Sequence, residues 1–153
     1  MFSIRTAARA LIVRDQRVLL TRCLREAHEF YLLPGGGQRP GESLRQTVAR
    51  ECREEIGTDV EVGALRFVRD YIPPEEGFSY LSEAPHQVEH IFECRVSADY
   101  RPGEGVEPDS SQVGVEWLPL EAMTRIRVYP GWLPEALQAD RLDPLPVYQG
   151  HTD

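Results

Sequence analysis

Residues 34–58 read PGGGQRPGESLRQTVARECREEIGT, a loop rich in glycine and proline that leads directly into an acidic segment. Ser43 is a favoured N-cap residue, and Gln46 stands three positions later, where it can complete a capping box. Gly57 is placed to end a helix in a left-handed conformation. The spacing therefore predicts a loop that gives way at Ser43 to a helix ending at Ile56.

The acidic residues of this predicted helix lie beside its apolar face. At about 100° per residue, the apolar positions form one stripe, which comprises Leu44, Val48, Cys52 and Ile56. Glu51, Glu54 and Glu55 follow at i, i+3 and i+4, and Glu55 falls at the edge of the stripe. Like charges at this spacing repel, and carboxylates in the last turn oppose the helix dipole. A bound divalent cation would reverse both effects. A solvated acidic face, neutralised by Arg50 and Arg53, is the alternative.

The bulk properties limit the class of protein. A chain of 153 residues with a formal net charge of −8 fits one domain, and its charge opposes binding to a nucleic acid polymer. The three cysteines are widely separated, which suggests neither a disulfide framework nor a zinc site. Arginines at positions 5, 9 and 14 interrupt the apolar amino terminus, so we expect no signal peptide, no membrane span and a cytoplasmic location.

The remaining pattern predicts mainly strands. Thr6 to Val13 and Arg17 to Cys23 are apolar stretches that predict an antiparallel hairpin. Further strands are expected at Phe30 to Leu33, Val60 to Tyr71, His86 to Val96 and Val113 to Leu118, and helical turns at Leu120 to Met123 and Trp132 to Leu137. We expect one domain over residues 1–153, with a loose tail from about Asp143.

The loop and the helix together form a specific motif. Gly36, five residues, Glu42, seven residues and then the run RECREEIGT from Arg50 to Thr58 closely resemble the Nudix box, G-x5-E-x7-R-E-U-x-E-E-x-G-U, where U is apolar. The strict departure is Thr58 at the last apolar position. In addition, Arg39 stands where many members carry another glutamate, which questions a metal role for that position.

The resemblance implies an α/β fold, namely a Nudix-type α/β/α sandwich around a mixed β-sheet. It also implies Mg²⁺-dependent or Mn²⁺-dependent hydrolysis of a diphosphate linkage in a small-molecule nucleoside diphosphate derivative. By position, Glu51 and Glu55 would ligate the metal and Gly35 would add its carbonyl. Glu54 would hold a metal or its water and is the preferred general base.

The same resemblance assigns supporting roles and leaves some choices open. Arg50 would orient the glutamates, and Glu42 would support the junction between loop and helix. Members of the family also recruit bases from outside the box, for which the candidates are Glu89, Glu107 and Asp109.

Substrate identity is only weakly marked. Pro73 and Pro74 stand fifteen and sixteen residues after the box, where ADP-ribose hydrolases of this family often carry a proline. Among the possible substrates, this favours ADP-ribose or a related nucleotide. Aromatic side chains that could stack on a base are Tyr71, Phe78, Tyr80 and His86. A non-catalytic nucleotide-sensing module is the alternative function. Because relatives commonly dimerise, a homodimer that uses the early hairpin as an edge is the alternative to a monomer.

Overall fold

The computed structural model describes residues 3–80, 86–103 and 111–151. Within these residues the chain forms ten strands, two α-helices and one 3-10 helix. The helices are α1 (Leu44–Ile56) and α2 (Leu133–Gln138), and the 3-10 helix covers Leu120–Arg125. The strands are β1 (Ile4–Leu11), β2 (Val13–Arg14), β3 (Arg17–Arg25), β4 (His28–Leu32), β5 (Gly35–Gly37), β6 (Glu61–Tyr71), β7 (His86–Arg95), β8 (Gln112–Pro119), β9 (Val128–Tyr129) and β10 (Tyr148–His151).

The first sheet is mixed and has the strand order β10-β6-β7-β1-β5. β1 pairs in parallel with β7 and antiparallel with β5, whereas β6 and β7 are antiparallel. Since β1 lies between two neighbours, its backbone groups are paired on both sides. The mixed sheet confirms the predicted fold class and brings β5, the start of the glycine loop, alongside β1.

The second sheet is built around β3. β4 and β8 both pair antiparallel with β3, and β9 pairs in parallel with β4. Apolar residues from both sheets and from α2 share one core, which includes Leu11, Leu20, Phe67, Ile91 and Leu133. This core fixes the distance between the two sheets behind the glycine loop.

Helix α1 forms where the sequence predicts it. The Ser43 side chain accepts a hydrogen bond from the Gln46 backbone N–H, and the Gln46 side chain accepts one from the Ser43 N–H. At the other end Gly57 has a φ of 75°, the left-handed conformation that glycine adopts without strain. The stripe through Val48, Cys52 and Ile56 is buried, in a cluster with Ala8 and Ala10 of β1. The helix is therefore held firmly against the first sheet.

The predicted early hairpin is wrong for most of its length. Only the two residues of β2 pair with β3, across a tight turn in which Asp15 and Gln16 have φ values of 52° and 62°. The chain changes sheets at Ile12, whose carbonyl still accepts a hydrogen bond from the Leu19 N–H at 3.0 Å. β1 is buried on both faces over Ala7–Leu11, so it is stabilised inside the first sheet and offers no free edge to a second copy.

Two further segments differ from expectation. Part of the predicted glycine loop is the short strand β5. The tail from Asp143, which we expect to be loose, contains β10, which pairs with the edge of β6 through the Val68 N–H and the Val147 carbonyl at 2.8 Å. Side chains add to this pairing, because the Arg66 guanidinium meets the Asp143 carboxylate at 2.8 Å. The free backbone groups of an edge strand explain why the tail docks there.

The three cysteines, at positions 23, 52 and 94, are buried and free of disulfides. Burial raises the pKa of the Cys52 and Cys94 thiols, so both are protonated near neutral pH. Among the described residues, no helix combines the length and the apolar character needed to cross a membrane.

Candidate active site

Arg50 of α1 lies at the centre of the residues that resemble the Nudix box. Its Nε and Nη2 donate to the two carboxylate oxygens of Glu42 at 3.0 and 2.7 Å. Its Nη1 donates to Glu51 at 3.0 Å and to Glu54 at 3.3 Å, and Nη2 also donates to the Gly37 carbonyl at 2.9 Å. One guanidinium therefore holds three carboxylates and the loop backbone together, with a bidentate contact to Glu42.

Glu42 joins the loop to the helix. Besides the contacts with Arg50, its Oε1 accepts from the Arg39 N–H at 2.9 Å and from the Thr47 hydroxyl at 3.1 Å. The hydrogen bond from Arg50 is the largest reason that the pKa of Glu42 falls to about 2. Glu42 is therefore an anion at all physiological pH values, and every contact it makes is structural.

Glu51 lies directly against Gly36. A Cβ on Gly36 would stand 2.6 Å from Oε1 and 2.7 Å from Cδ of Glu51, closer than atoms can approach. Glycine is required here because the carboxylate occupies the space of a side chain. Glu54 is the most exposed of the three helix glutamates, at 22% of its side chain against 14% for Glu51, and Arg39 approaches it at 4.0 Å.

Glu55 is buried, at 8% exposure, and its Oε2 accepts from the Gly35 N–H at 3.1 Å. Gly35 has a φ of 150°, and a Cβ there would stand 2.1 Å from the Ala8 carbonyl oxygen. The glycine therefore allows the loop to lie against β1 with its N–H directed to Glu55. The Gly35 carbonyl accepts from Arg9 Nη1 at 3.1 Å.

A buried ion-pair cluster lies behind this loop. Glu89 of β7 receives Arg9 Nε on one oxygen at 2.6 Å, and Arg69 Nη2 and the Tyr80 hydroxyl on the other at 2.5 and 2.9 Å. Burial alone would raise the pKa of Glu89, but the charges of Arg9 and Arg69 outweigh it and lower the pKa to about 2. With 2% exposure and both oxygens engaged, Glu89 is not placed to act as a base.

Two candidate bases remain from the sequence analysis. Glu107 and Asp109 lie outside the described residues. Tyr71 and Tyr80, which could have stacked on a base or closed the core, close the core: both are 3% exposed and pack on each other with ring centroids 4.3 Å apart. They fill an apolar cluster beside the buried ion pairs.

Two more predicted aromatic contacts are occupied within the protein. Phe78 stacks on His28 with centroids 4.2 Å apart, and His86 Nε2 meets Asp70 Oδ1 at 2.7 Å. Arg9 and Arg69 are absent from our sequence-based list of site residues. A signal for Arg9 does exist, because it interrupts the apolar strand sequence AARALIV at an inward-facing position.

The donors around the glycine loop are chemically uniform. Glu51 lies against Gly36, Glu55 accepts from the Gly35 N–H, and Glu54 shares the Arg50 guanidinium with Glu51. All three offer oxygen, which suits a hard divalent cation such as Mg²⁺ or Mn²⁺. As the side chains stand, no three His, Cys, Asp or Glu residues in the described part of the chain converge as a metal cage. Arg50 instead occupies the space between Glu51 and Glu54.

Comparison with known proteins agrees with this arrangement. A family model described as NUDIX domain matches residues 3–138. The NAD-capped RNA hydrolase NudC of Stutzerimonas stutzeri (strain A1501) is 30% identical over 111 residues, which cover 72% of this chain and 35% of that protein. The protein of Bacillus subtilis (strain 168) named "Putative ADP-ribose pyrophosphatase YjhB" is 31% identical over 98 residues, 63% of this chain and 42% of that protein.

The chain thus spans about a third of the length of the first curated relatives that it matches. Among solved structures, a NUDIX hydrolase from Nitrosomonas europaea has the same fold, with a TM-score of 0.69 and 20% identity over 95% of this chain and 98% of that chain. The relatives named for NAD-capped RNA stand at odds with the expectation that no nucleic acid polymer is a partner. The chain belongs to the NUDIX domain family.

Proposed function

We propose that this protein is a metal-dependent pyrophosphohydrolase that cleaves a diphosphate linkage in a nucleoside diphosphate derivative. The observation that carries the proposal is the set of glutamates around Arg50 and the Gly35–Gly36 segment. Glu51 and Glu54 share one nitrogen of Arg50, and Glu55 lies against the adjoining glycine segment. Carboxylates gathered in this way repel one another, which is expected at a site that accepts positive charge.

Glu51, Glu55 and the Gly35 carbonyl would hold the Mg²⁺ or Mn²⁺ ion. The ion, when bound, would neutralise phosphate oxygens and make hydroxide available near neutral pH. Glu54 would take the proton from the attacking water, a role for which its greater exposure is the support. Arg50 and Glu42 would keep the glutamates in place, since their contacts are bidentate and partly buried.

The substrate class that we propose is a diphosphate that joins adenosine to a second ribose. ADP-ribose and NAD share this unit, and the names of the relatives include an ADP-ribose pyrophosphatase and NAD-capped RNA hydrolases. The net charge of −8 favours a small molecule over a polymer, because a negatively charged protein repels the phosphates of RNA. Capped RNA is therefore the second candidate, favoured by the relatives alone.

A substrate panel with Mg²⁺ tests the proposal. It contains ADP-ribose, NAD, a short 5′-NAD-capped RNA and nucleoside triphosphates, with products identified by chromatography. Glu54→Gln and Glu55→Gln should lower turnover on the order of 10² to 10⁴-fold. Glu93→Gln is the matched control, because Glu93 is a half-exposed glutamate that pairs only with Arg66 among the described residues. Turnover of no substrate, or turnover indifferent to both variants, would refute the hydrolase.

The panel also distinguishes the enzyme from a non-catalytic sensing module, which would bind a nucleotide in calorimetry without forming a product.

Two further expectations, on location and on oligomeric state, stay proposals. The three cysteines, which are buried and form no disulfide, support the proposal of a reducing, cytoplasmic setting. A homodimer would need an edge other than β1, and light scattering would decide between dimer and monomer.

A further inference from the structure

A chain of buried charges connects three strands of the first sheet. Arg69 of β6 donates to Glu89 of β7 at 2.5 Å, and Glu89 accepts from Arg9 of β1 at 2.6 Å. The side chains of Arg69 and Glu89 are 1% and 2% exposed, and that of Arg9 is 7% exposed. Three charged groups are thus withdrawn from water within one contiguous network.

The network ends on the glycine loop. Arg9 Nη1 donates to the carbonyls of Leu33 and Gly35, each at 3.1 Å. The intervening Pro34 carbonyl accepts from the Ala10 N–H at 2.7 Å. Three successive carbonyls are therefore fixed to β1, two of them by a single guanidinium. At the same time Glu55 accepts from the N–H of Gly35, so hydrogen bonds hold both the N–H and the C=O of this residue.

Stability alone does not explain this arrangement. Buried ion pairs are often replaceable by apolar residues of similar volume without loss of stability, because desolvation offsets their attraction. What only an arginine supplies is a rigid fork whose donors reach two carbonyls and one carboxylate together.

The charges next to the Gly35 carbonyl also bear on metal binding. A cation next to a metal-binding carbonyl would repel the metal. Glu89 accepts from Arg9 and from Arg69, so its negative charge offsets this repulsion in part. A carbonyl oxygen has two acceptor positions. The guanidinium takes one of them at Gly35 and leaves the other for a ligand.

We propose that Arg9 is a positioning residue that holds the Gly35 carbonyl in the orientation needed to bind the divalent metal, and that Glu89 and Arg69 hold Arg9. The inference rests on the proposed function, because it takes Gly35 as a metal ligand. It gives Glu89 a role in the site without making it a base. Residues behind metal ligands typically change metal affinity roughly 10 to 100-fold when altered.

The test measures Mn²⁺ affinity without substrate, by the loss of the free-ion signal in electron paramagnetic resonance. Arg9→Lys keeps the positive charge beside Glu89 and loses the fork to the two carbonyls. We expect its Kd for Mn²⁺ to rise roughly tenfold or more. Glu89→Gln keeps the shape of the network and leaves Arg9 with its charge unbalanced, so its Kd should rise as well. This second variant carries the test if Arg9→Lys does not fold.

Tyr80→Phe is the matched control, because it removes a hydrogen bond to the same Glu89 carboxylate without touching the loop. It should lower the Tm and leave the Kd unchanged when measured well below that Tm. Folded Arg9→Lys and Glu89→Gln proteins with the wild-type Kd would overturn the inference. Wild-type protein that binds no Mn²⁺ would instead overturn the proposed function on which the inference rests.

Discussion

Gly36→Ala separates activity from stability in this fold. The new Cβ would stand 2.6 Å from Glu51 Oε1, whereas ordinary contact begins at 3.4 Å, so the carboxylate must move by about 0.8 Å. A misplacement of about 1 Å at a reacting centre costs on the order of 10²-fold in rate. Gly36 has an ordinary φ, so alanine adds no backbone strain and gains roughly 0.4 to 1 kcal/mol from the lower entropy of the unfolded chain. This gain offsets part of the cost of displacing Glu51 from Arg50.

We therefore expect kcat to fall on the order of 100-fold while the free energy of unfolding in urea stays within about 1 kcal/mol of that of the wild type. Gly114→Ala is the control, because a Cβ on Gly114 meets no atom within 4 Å. It should retain full activity. If Gly36→Ala kept wild-type kcat, the position of the Glu51 carboxylate would not matter to catalysis and its assignment as a metal ligand would fail.

Three further predictions address charge. Mg²⁺ at about 100 times its Kd should stabilise the wild type by about 2.7 kcal/mol, or roughly 5 to 10 °C in Tm, and Glu55→Gln should remove the shift in a thermal scan. The pKa of Glu42 is lowered from 4.5 to about 2. Its contribution to stability is therefore complete above pH 4.5 and is lost as the pH falls toward 2. Between about pH 5 and pH 3, Glu42→Gln should lose less unfolding free energy than the wild type. Tyr148→Phe should raise the pKa of Asp70, since the Tyr148 hydrogen bond is the main reason that it is low, and an unchanged carboxyl titration in NMR would show that β10 does not hold Asp70.

The sequence predicts what is local in this protein. The capping box of Ser43 and Gln46, the left-handed Gly57 and the edge position of Glu55 all depend on residues within a few positions of one another, and the structure confirms each. The partners of β1 depend on contacts between distant segments. Arg9 and Glu89 are 80 residues apart, and their pairing follows from the register of two parallel strands, for which a single sequence holds no local signal.

The sequence leaves the role of the aromatic residues open for a related reason. Tyr71 and Tyr80 stand near a loop that could border a ligand, but the side chain of Tyr80 turns inward, where its hydroxyl bonds Glu89. A buried hydroxyl needs such a partner, and the partner becomes available only when β6 and β7 pair. Alternation along a strand predicts that a side chain faces inward, but it does not predict which residue that side chain contacts.

The two explanations of the acidic helix, a cation site and a solvated face neutralised by arginines, turn out not to exclude each other. Arg50 does neutralise Glu51 and Glu54, but Arg53 turns away to Asp59 at 3.3 Å and contributes nothing to the site. Nor is the face solvated, since the side chains of Glu51 and Glu54 are 14% and 22% exposed. Three carboxylates, those of Glu42, Glu51 and Glu54, share the Arg50 guanidinium in a partly buried place, and Glu55 lies beside them against the Gly35 N–H. Arg50 offsets part of this negative charge in the metal-free protein, and the negative charge that remains favours the arrival of a divalent cation.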